Sequence, residues 1–159
     1  MVDVRPVVEE DLPALAALND AAVPNVNALG TAGLRAHVPR CALALTVGEA
    51  EALLLALAPG ADYESENYRW FAANQPPSLY VDRIVVAEHL RSQGVGTALY
   101  EEVFAHARRL GLGLVTAEVN LEPPNPRSLA FHERLGFRRV GEQATKGGTV
   151  HVALLARPV

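Results

Sequence analysis

The most restrictive feature of the chain is a run of seven residues, Arg91-Ser92-Gln93-Gly94-Val95-Gly96-Thr97, between a β-branched stretch, LYVDRIVVA, and a segment whose apolar residues recur at helical spacing. A strand that runs into glycines and then into a helix must turn tightly. The turn lets several backbone N–H groups converge, and the helix start adds its positive dipole end. Such a loop is an anion site: Gly94 and Gly96 admit a pyrophosphate close to the main chain, and Arg91 adds charge. Taken alone, the loop also fits a tight strand-to-helix connection without a ligand. Two other phosphate loops are excluded. A P-loop requires lysine before the final Ser or Thr, whereas Thr97 directly follows Gly96, and a dinucleotide fingerprint requires a third glycine where this chain has Leu99.

The rest of the chain supplies a mixed sheet. VDVRPV reads as a short strand ending at Pro6, EEDLPALAALNDAA as a helix, and Thr31 to His37 as a second helix broken at Pro39. CALALTV and EALLLALAPG are two strands joined by a tight turn at Gly48. The helix opening at Val95 carries Leu99, Val103, Ala107 and Leu110 on one face, has Arg108 and Arg109 in its last turn and stops at Gly111. GLVTAEVNL is the next strand. Asn125 then caps a helix with Pro126 at its first position and Gly136 at its end, and FRRVGEQ and GGTVHVALLARPV close the sheet. The order β-α-α-β-β-β-α-β-α-β-β predicts an α+β fold in three layers, with a mixed central sheet covered by helices, in one domain spanning 1–159.

Composition narrows the function. Half of the 159 residues are hydrophobic and the net charge is −4, which argues for a buried core and against nucleic-acid binding through many phosphate contacts. The longest apolar run, Ala52 to Ala58, is too short to span a membrane, and MVDVRPVVEED has no signal-peptide core, so a cytoplasmic protein without membrane association is expected. Cys41 is the only cysteine, which excludes an internal disulfide. His37, His89, His106 and His151 lack metal-ligand spacing, and no metal is expected.

A second segment, Asn125-Pro126-Arg127-Ser128-Leu129-Ala130-Phe131-His132-Glu133-Arg134-Leu135-Gly136-Phe137, follows at a distance that fixes the comparison. With Arg91, Gly94 and Gly96 in the first segment, and Asn125, Ser128 and Leu135 to Phe137 in the second, the chain resembles the GNAT superfamily of N-acetyltransferases. Arg5-Pro6 before Glu10-Asp11-Leu12 also looks like the family's usual start. The resemblance implies a GNAT-type fold with two splayed parallel strands and acetyl-CoA as the donor. It also implies a cofactor site made of Val85, Val86, Arg91, Ser92, Gln93, Gly94, Val95, Gly96, Thr97, Asn125, Ser128, Phe131 and His132. His132 stands where the family commonly carries a tyrosine that protonates the leaving thiolate.

Acyl transfer to an amine needs a base, a polarised carbonyl and an acid. Histidine can donate a proton near neutral pH, so His132 is a candidate acid, and packing against the cofactor is the alternative. Asp82 shares a strand face with Tyr80, and Glu118 lies on the neighbouring strand; these are the candidate catalytic groups, with structural ion pairing as the competing role. The stretch from Asp62 to Ser78 is too long for a hairpin turn and carries Tyr63, Tyr68, Trp70 and Phe71, with Tyr68 and Phe71 sharing a face of a short helix starting near Ser65. Together with Asp82, these rings are the expected acceptor wall, against the alternative that they pack on the sheet or on a partner chain. The expected activity is direct acetyl transfer to a primary amine of a small molecule or peptide. An acyl-CoA-binding regulatory module without turnover is the second reading, and both a monomer and a homodimer are compatible with the sequence.

Overall fold

The computed structural model describes residues 2–159; Met1, with which the N-terminal reading begins, lies outside them. In chain order the elements are β1 (Val4–Pro6), α1 (Leu12–Asp20), α2 (Gly30–His37), β2 (Leu43–Val47), β3 (Ala52–Leu57), α3 (Glu66–Asn74), β4 (Leu79–Val86), α4 (Val95–Arg109), β5 (Leu114–Glu122), α5 (Pro126–Arg134), β6 (Arg138–Thr145) and β7 (Val150–Pro158), with short 3₁₀ turns between some of them. The strands form one sheet in the order β1-β2-β3-β4-β5-β7-β6. β4 and β5 are parallel and every other neighbouring pair is antiparallel. Beyond the predicted order, α3 is a full helix: the Ser65 hydroxyl accepts from the Tyr68 N–H at 3.2 Å, a side-chain N-cap.

Helices cover both faces. On one, Leu99, Val103 and Ala107 of α4 pack against Leu54, Val81, Ala117 and Val119. On the other, Leu12, Leu15 and Leu34 from α1 and α2 cover Leu53 and Leu55, while Tyr68 and Phe71 of α3 cover Leu57, Tyr80 and Leu154. Covered from both sides, β3 is buried at all six residues, which explains its unbroken apolar run.

The feature that shapes the site lies in β4. Leu55 pairs with Arg83 and Ala56 with Val81, so Asp82 is an extra residue in β4 opposite an uninterrupted β3. A bulge of this kind bends the strand and disrupts the alternation of side chains. Arg83 therefore falls on the α1/α2 face, with Asp82 directed to the same side. The parallel pairing with β5 ends just before the bulge: Leu79, Tyr80 and Val81 face Val115, Thr116 and Ala117, and no further pairs form. Beyond that point the two strands separate.

Candidate active site

A cavity of about 1490 Å³ runs through the opening between β4 and β5. Its walls include Val81 to Val86, Ala117 to Asn120, the start of α4 and one side of α5. It connects the two faces of the sheet, which differ in chemistry.

The α4 side is built mainly from backbone. Gly94 is the N-cap of α4 at φ +81°, a left-handed conformation that glycine adopts without penalty, and Ser92 is also left-handed at φ +65°. Gly96 has a different reason to be glycine: a Cβ there would lie 2.8 Å from the Phe131 ring, so the close approach of α4 to α5 depends on it. Arg91, Ser92, Gly94, Val95, Gly96 and Thr97 all line the cavity, as do Val85 and Val86. The Gln93 side chain instead turns back to donate to the His89 carbonyl at 2.9 Å and does not line it. On α5, the Asn125 side chain accepts from the Ser128 N–H at 3.4 Å, and Asn125, Ser128, Phe131 and His132 also line the cavity.

His132 is buried, and both ring nitrogens are engaged. Nδ1 lies 2.7 Å from the Ser128 carbonyl, which can only accept, so Nδ1 carries the proton and Nε2 accepts from the Tyr100 hydroxyl at 2.6 Å. Burial lowers the proton affinity of the ring, only partly offset by the Ser128 carbonyl. In this arrangement His132 is neutral and has no proton directed to the cavity. The expected direct acid role of His132 therefore finds no proton facing the cavity in this arrangement, and the Tyr100 hydroxyl, which lines the same cavity, directs its own proton to His132.

The other side is built from side chains brought together over long distances in sequence. Asp82 accepts from the Tyr63 hydroxyl at 2.6 Å, from His37 Nε2 at 3.0 Å and from Arg83 Nε at 2.9 Å. Burial favours the neutral acid, but the His37 hydrogen bond, the Arg83 charge and the Tyr63 hydroxyl together outweigh it and hold Asp82 below the ordinary carboxylate range. Glu118 behaves in the opposite way. Burial, and then the nearby Asp82 charge, push it up to about 8, although hydrogen bonds from Tyr80 and Asn67 pull it partly back. The Tyr80 hydroxyl lies 2.8 and 2.7 Å from the two Glu118 oxygens. Two carboxylates on neighbouring strands are thus pushed in opposite directions, Asp82 toward the anion and Glu118 toward the neutral acid.

Arg83 also reaches the end of α1 and the connection to α2, donating to the Asn19 side chain at 3.0 Å and to the Asn27 carbonyl at 3.2 Å. This anchors the segment whose Pro24, Asn25, Val26 and Asn27 line the cavity.

The aromatic segment divides as well. Tyr63 lines the cavity together with Asp62, Glu64 and Glu66, whereas Tyr68, Trp70 and Phe71 do not. Tyr68 and Phe71 are buried against Leu57, Tyr80 and Leu154 because α3 turns its apolar face onto the sheet. Trp70 packs over Gly141 of β6, where a Cβ would approach its ring to 2.6 Å. Of the four rings expected to form an acceptor wall, Tyr63 alone reaches this cavity, and the other three pack on the sheet instead. Sequence reasoning missed His37, Arg83, Asn67 and Tyr100; His37 and Asp82 are 45 positions apart, and no local pattern links them. Among the described residues no three His, Cys, Asp or Glu side chains gather as a metal site, and no helix is long and apolar enough to cross a membrane.

The sequence model of the acetyltransferase (GNAT) family matches residues 52–137, from β3 to the end of the α5 motif. No curated protein matches the chain by sequence. Among solved structures, the chain is similar to NAA60 of Arabidopsis thaliana in complex with a bisubstrate analogue, at 18% identity and TM-score 0.77, covering 99% of this chain and 98% of that one. It is also similar to a phosphinothricin acetyltransferase from Sinorhizobium meliloti in complex with AcCoA, at 20% identity and TM-score 0.73, with 99% and 88% covered. A third similar structure is yncA from Salmonella typhimurium with its cofactor acetyl-CoA, at 16% identity and TM-score 0.70, with 99% and 94% covered. At these identities the structures speak to the fold.

Proposed function

Because the chain belongs to the GNAT family of acetyltransferases, we propose that it transfers the acetyl group of acetyl-CoA to a primary amine of a small molecule or peptide, by direct attack with both substrates bound. The observation that carries this reading is the opening between β4 and β5, which joins the anion-binding start of α4 to Glu118 through one continuous cavity. The fit to the donor rests on the loop itself: Gly94 is left-handed with nothing within 4 Å of its absent Cβ, so its open side can receive a phosphate. Arg91 and the amides that open α4 would hold the pyrophosphate. The backbone of Val85 and Val86, with Ser128 and Phe131 opposite, would line the pantetheine path. When bound, acetyl-CoA supplies an activated thioester acetyl group.

The protein's own groups supply the proton chemistry. Glu118 takes a proton from the acceptor ammonium, directly or through water, and Tyr80 fixes the orientation of its carboxylate. Asp82, already an anion, favours a positive charge beside it. On the α4 side, Tyr100 and His132 are committed to each other, so the leaving thiolate takes the proton that the acceptor nitrogen gives up as the amide forms, passed through solvent in the cavity. Support for simultaneous binding comes from NAA60, whose complex holds a bisubstrate analogue, and support for the donor from the neighbours with acetyl-CoA.

The test is release of free CoA thiol from acetyl-CoA across amines, polyamines, antibiotics and peptides, with Glu118→Gln run beside the wild type. Turnover with at least one amine is expected, and a kcat about 10²-fold lower in Glu118→Gln. CoA binding without thiol release from any acceptor would instead indicate a binding module.

A further inference from the structure

Behind the acceptor side of the main cavity lies a second one of about 330 Å³, and Tyr63 is the residue that lines both. We propose that the Tyr63 ring is a partition that sets the maximum length of the acceptor: it closes the main cavity against an apolar extension able to take an alkyl or aryl tail. The proposal rests on the acceptor amine being held near Glu118.

The partition is held rigidly. Its hydroxyl donates to Asp82 Oδ1 at 2.6 Å, and its ring centroid lies 4.8 Å from that of His37 and 5.8 Å from that of Tyr68. At the main chain, the Tyr63 N–H donates to the Ala61 carbonyl at 3.0 Å. Asp82 is itself fixed by His37 and Arg83, so swinging the ring aside would break a charge-assisted hydrogen bond inside a buried network.

The space behind it suits an apolar occupant. Pro59, Tyr68, Phe71, Pro76, Pro77 and Tyr80 are among its walls. Both other tyrosine hydroxyls are already used. That of Tyr68 donates to the Ala58 carbonyl at 2.5 Å and accepts from the Ala61 N–H at 3.0 Å, and that of Tyr80 donates to Glu118. What these side chains offer the second cavity is ring surface. An amine placed at Glu118 with a short body fits in front of Tyr63, whereas a longer apolar tail meets the ring although suitable space lies just beyond it.

Removing the ring should not dismantle the site, because Asp82 keeps two donors. Binding of unbranched primary alkylamines and of phenylbutylamine is measured by calorimetry with CoA present, for the wild type, Tyr63→Ala, Tyr63→Leu and Tyr63→Phe. In the wild type, affinity is expected to rise with chain length and then stop. In Tyr63→Ala, and to a smaller extent in Tyr63→Leu, the preference for phenylbutylamine over butylamine should increase by about tenfold or more. Tyr63→Phe, which keeps the ring but loses the hydrogen bond that fixes it, should shift the ratio much less than Tyr63→Ala. Affinity that climbs steadily to octylamine in the wild type, an absence of alkylamine binding, or a ratio that shifts as much in Tyr63→Phe as in Tyr63→Ala overturns the partition. Failure of the acetyltransferase reading would appear separately, as absence of thiol release in the wild type whatever the binding series shows.

Discussion

The two sides of the cavity are made in different ways. On the α4 side, the loop from Arg91 to Thr97 and the helix from Pro126 to Arg134 are each continuous in sequence and present mostly backbone and short-range contacts. On the opposite side, proposed to take the acceptor, His37, Tyr63, Asp82 and Glu118 come from four separate segments and meet only in the folded sheet. A phosphate site needs amides aligned by one turn and one helix start, which a short motif can specify. A site that tunes the proton affinity of a carboxylate needs burial and charged neighbours, which arise only from tertiary packing.

The strongest test of this division is Glu118. If its proton affinity is set by the acceptor-side network, wild-type activity should rise with pH through about 8, because the base must lose its proton before it can accept one from the amine. Glu118→Gln should lower kcat by about 10²-fold or more and abolish that limb, with CoA affinity preserved. Stability carries an independent sign. The unfolded carboxyl titrates near 4.3, so the native chain holds an extra proton from there up to about 8. The favourable contribution is complete below the unfolded value and is lost as pH rises through the folded one. Denaturant unfolding should therefore show Glu118→Gln gaining on the wild type between pH 5 and pH 8. A constant difference would mean that the carboxyl titrates normally.

The α4 side is tested by its two glycines, which serve different ends. Gly94→Ala introduces a left-handed residue at a cost of about 1–2 kcal/mol and narrows the approach to the loop amides. Gly96→Ala instead pushes on Phe131, since the new Cβ would lie 2.8 Å from that ring. Both should weaken CoA binding by about tenfold or more by calorimetry, in line with the loss of one good anion contact. Adding Phe131→Leu should restore stability to Gly96→Ala and leave Gly94→Ala unchanged. Equal rescue of both would show that the two glycines share one packing role.

How far the sequence reached follows the same line. Periodicity and caps located the strands and helices that frame the cavity, and the resemblance implied the splay between β4 and β5. The bulge at Asp82 was not visible: LYVDRIVV reads as an ordinary alternating strand, and the extra residue becomes apparent only against the register of β3. Without it, Arg83 could not be assigned to the same side as Asp82, and the anchoring of the α1–α2 connection stayed hidden. The Asp62–Ser78 segment was picked out for its length and rings, yet composition does not say which rings face inward. His132 shows the same limit, since its proton is committed to Ser128 by its position one helical turn away on α5.

The smallest effect on catalysis, and the sharpest on that last distinction, is expected at Trp70. As part of an acceptor wall its removal would raise the acceptor KM. In the structure it sits outside the cavity, edge-on to Phe71 with centroids 5.4 Å apart, and covers Gly141 on the outer strand β6. Trp70→Ala should thus lower unfolding stability by about 1–3 kcal/mol, less than for a fully buried tryptophan because the site is at the edge. Acceptor KM, kcat and CoA affinity should all remain within about twofold of wild type. Tyr63→Ala provides the contrast, because it acts on acceptor choice through the cavity that Trp70 does not touch. If Trp70→Ala raised the acceptor KM with stability unchanged, α3 would have to move its outer face into the cleft during turnover, and the division between a packing helix and a binding loop within Asp62–Ser78 would fail.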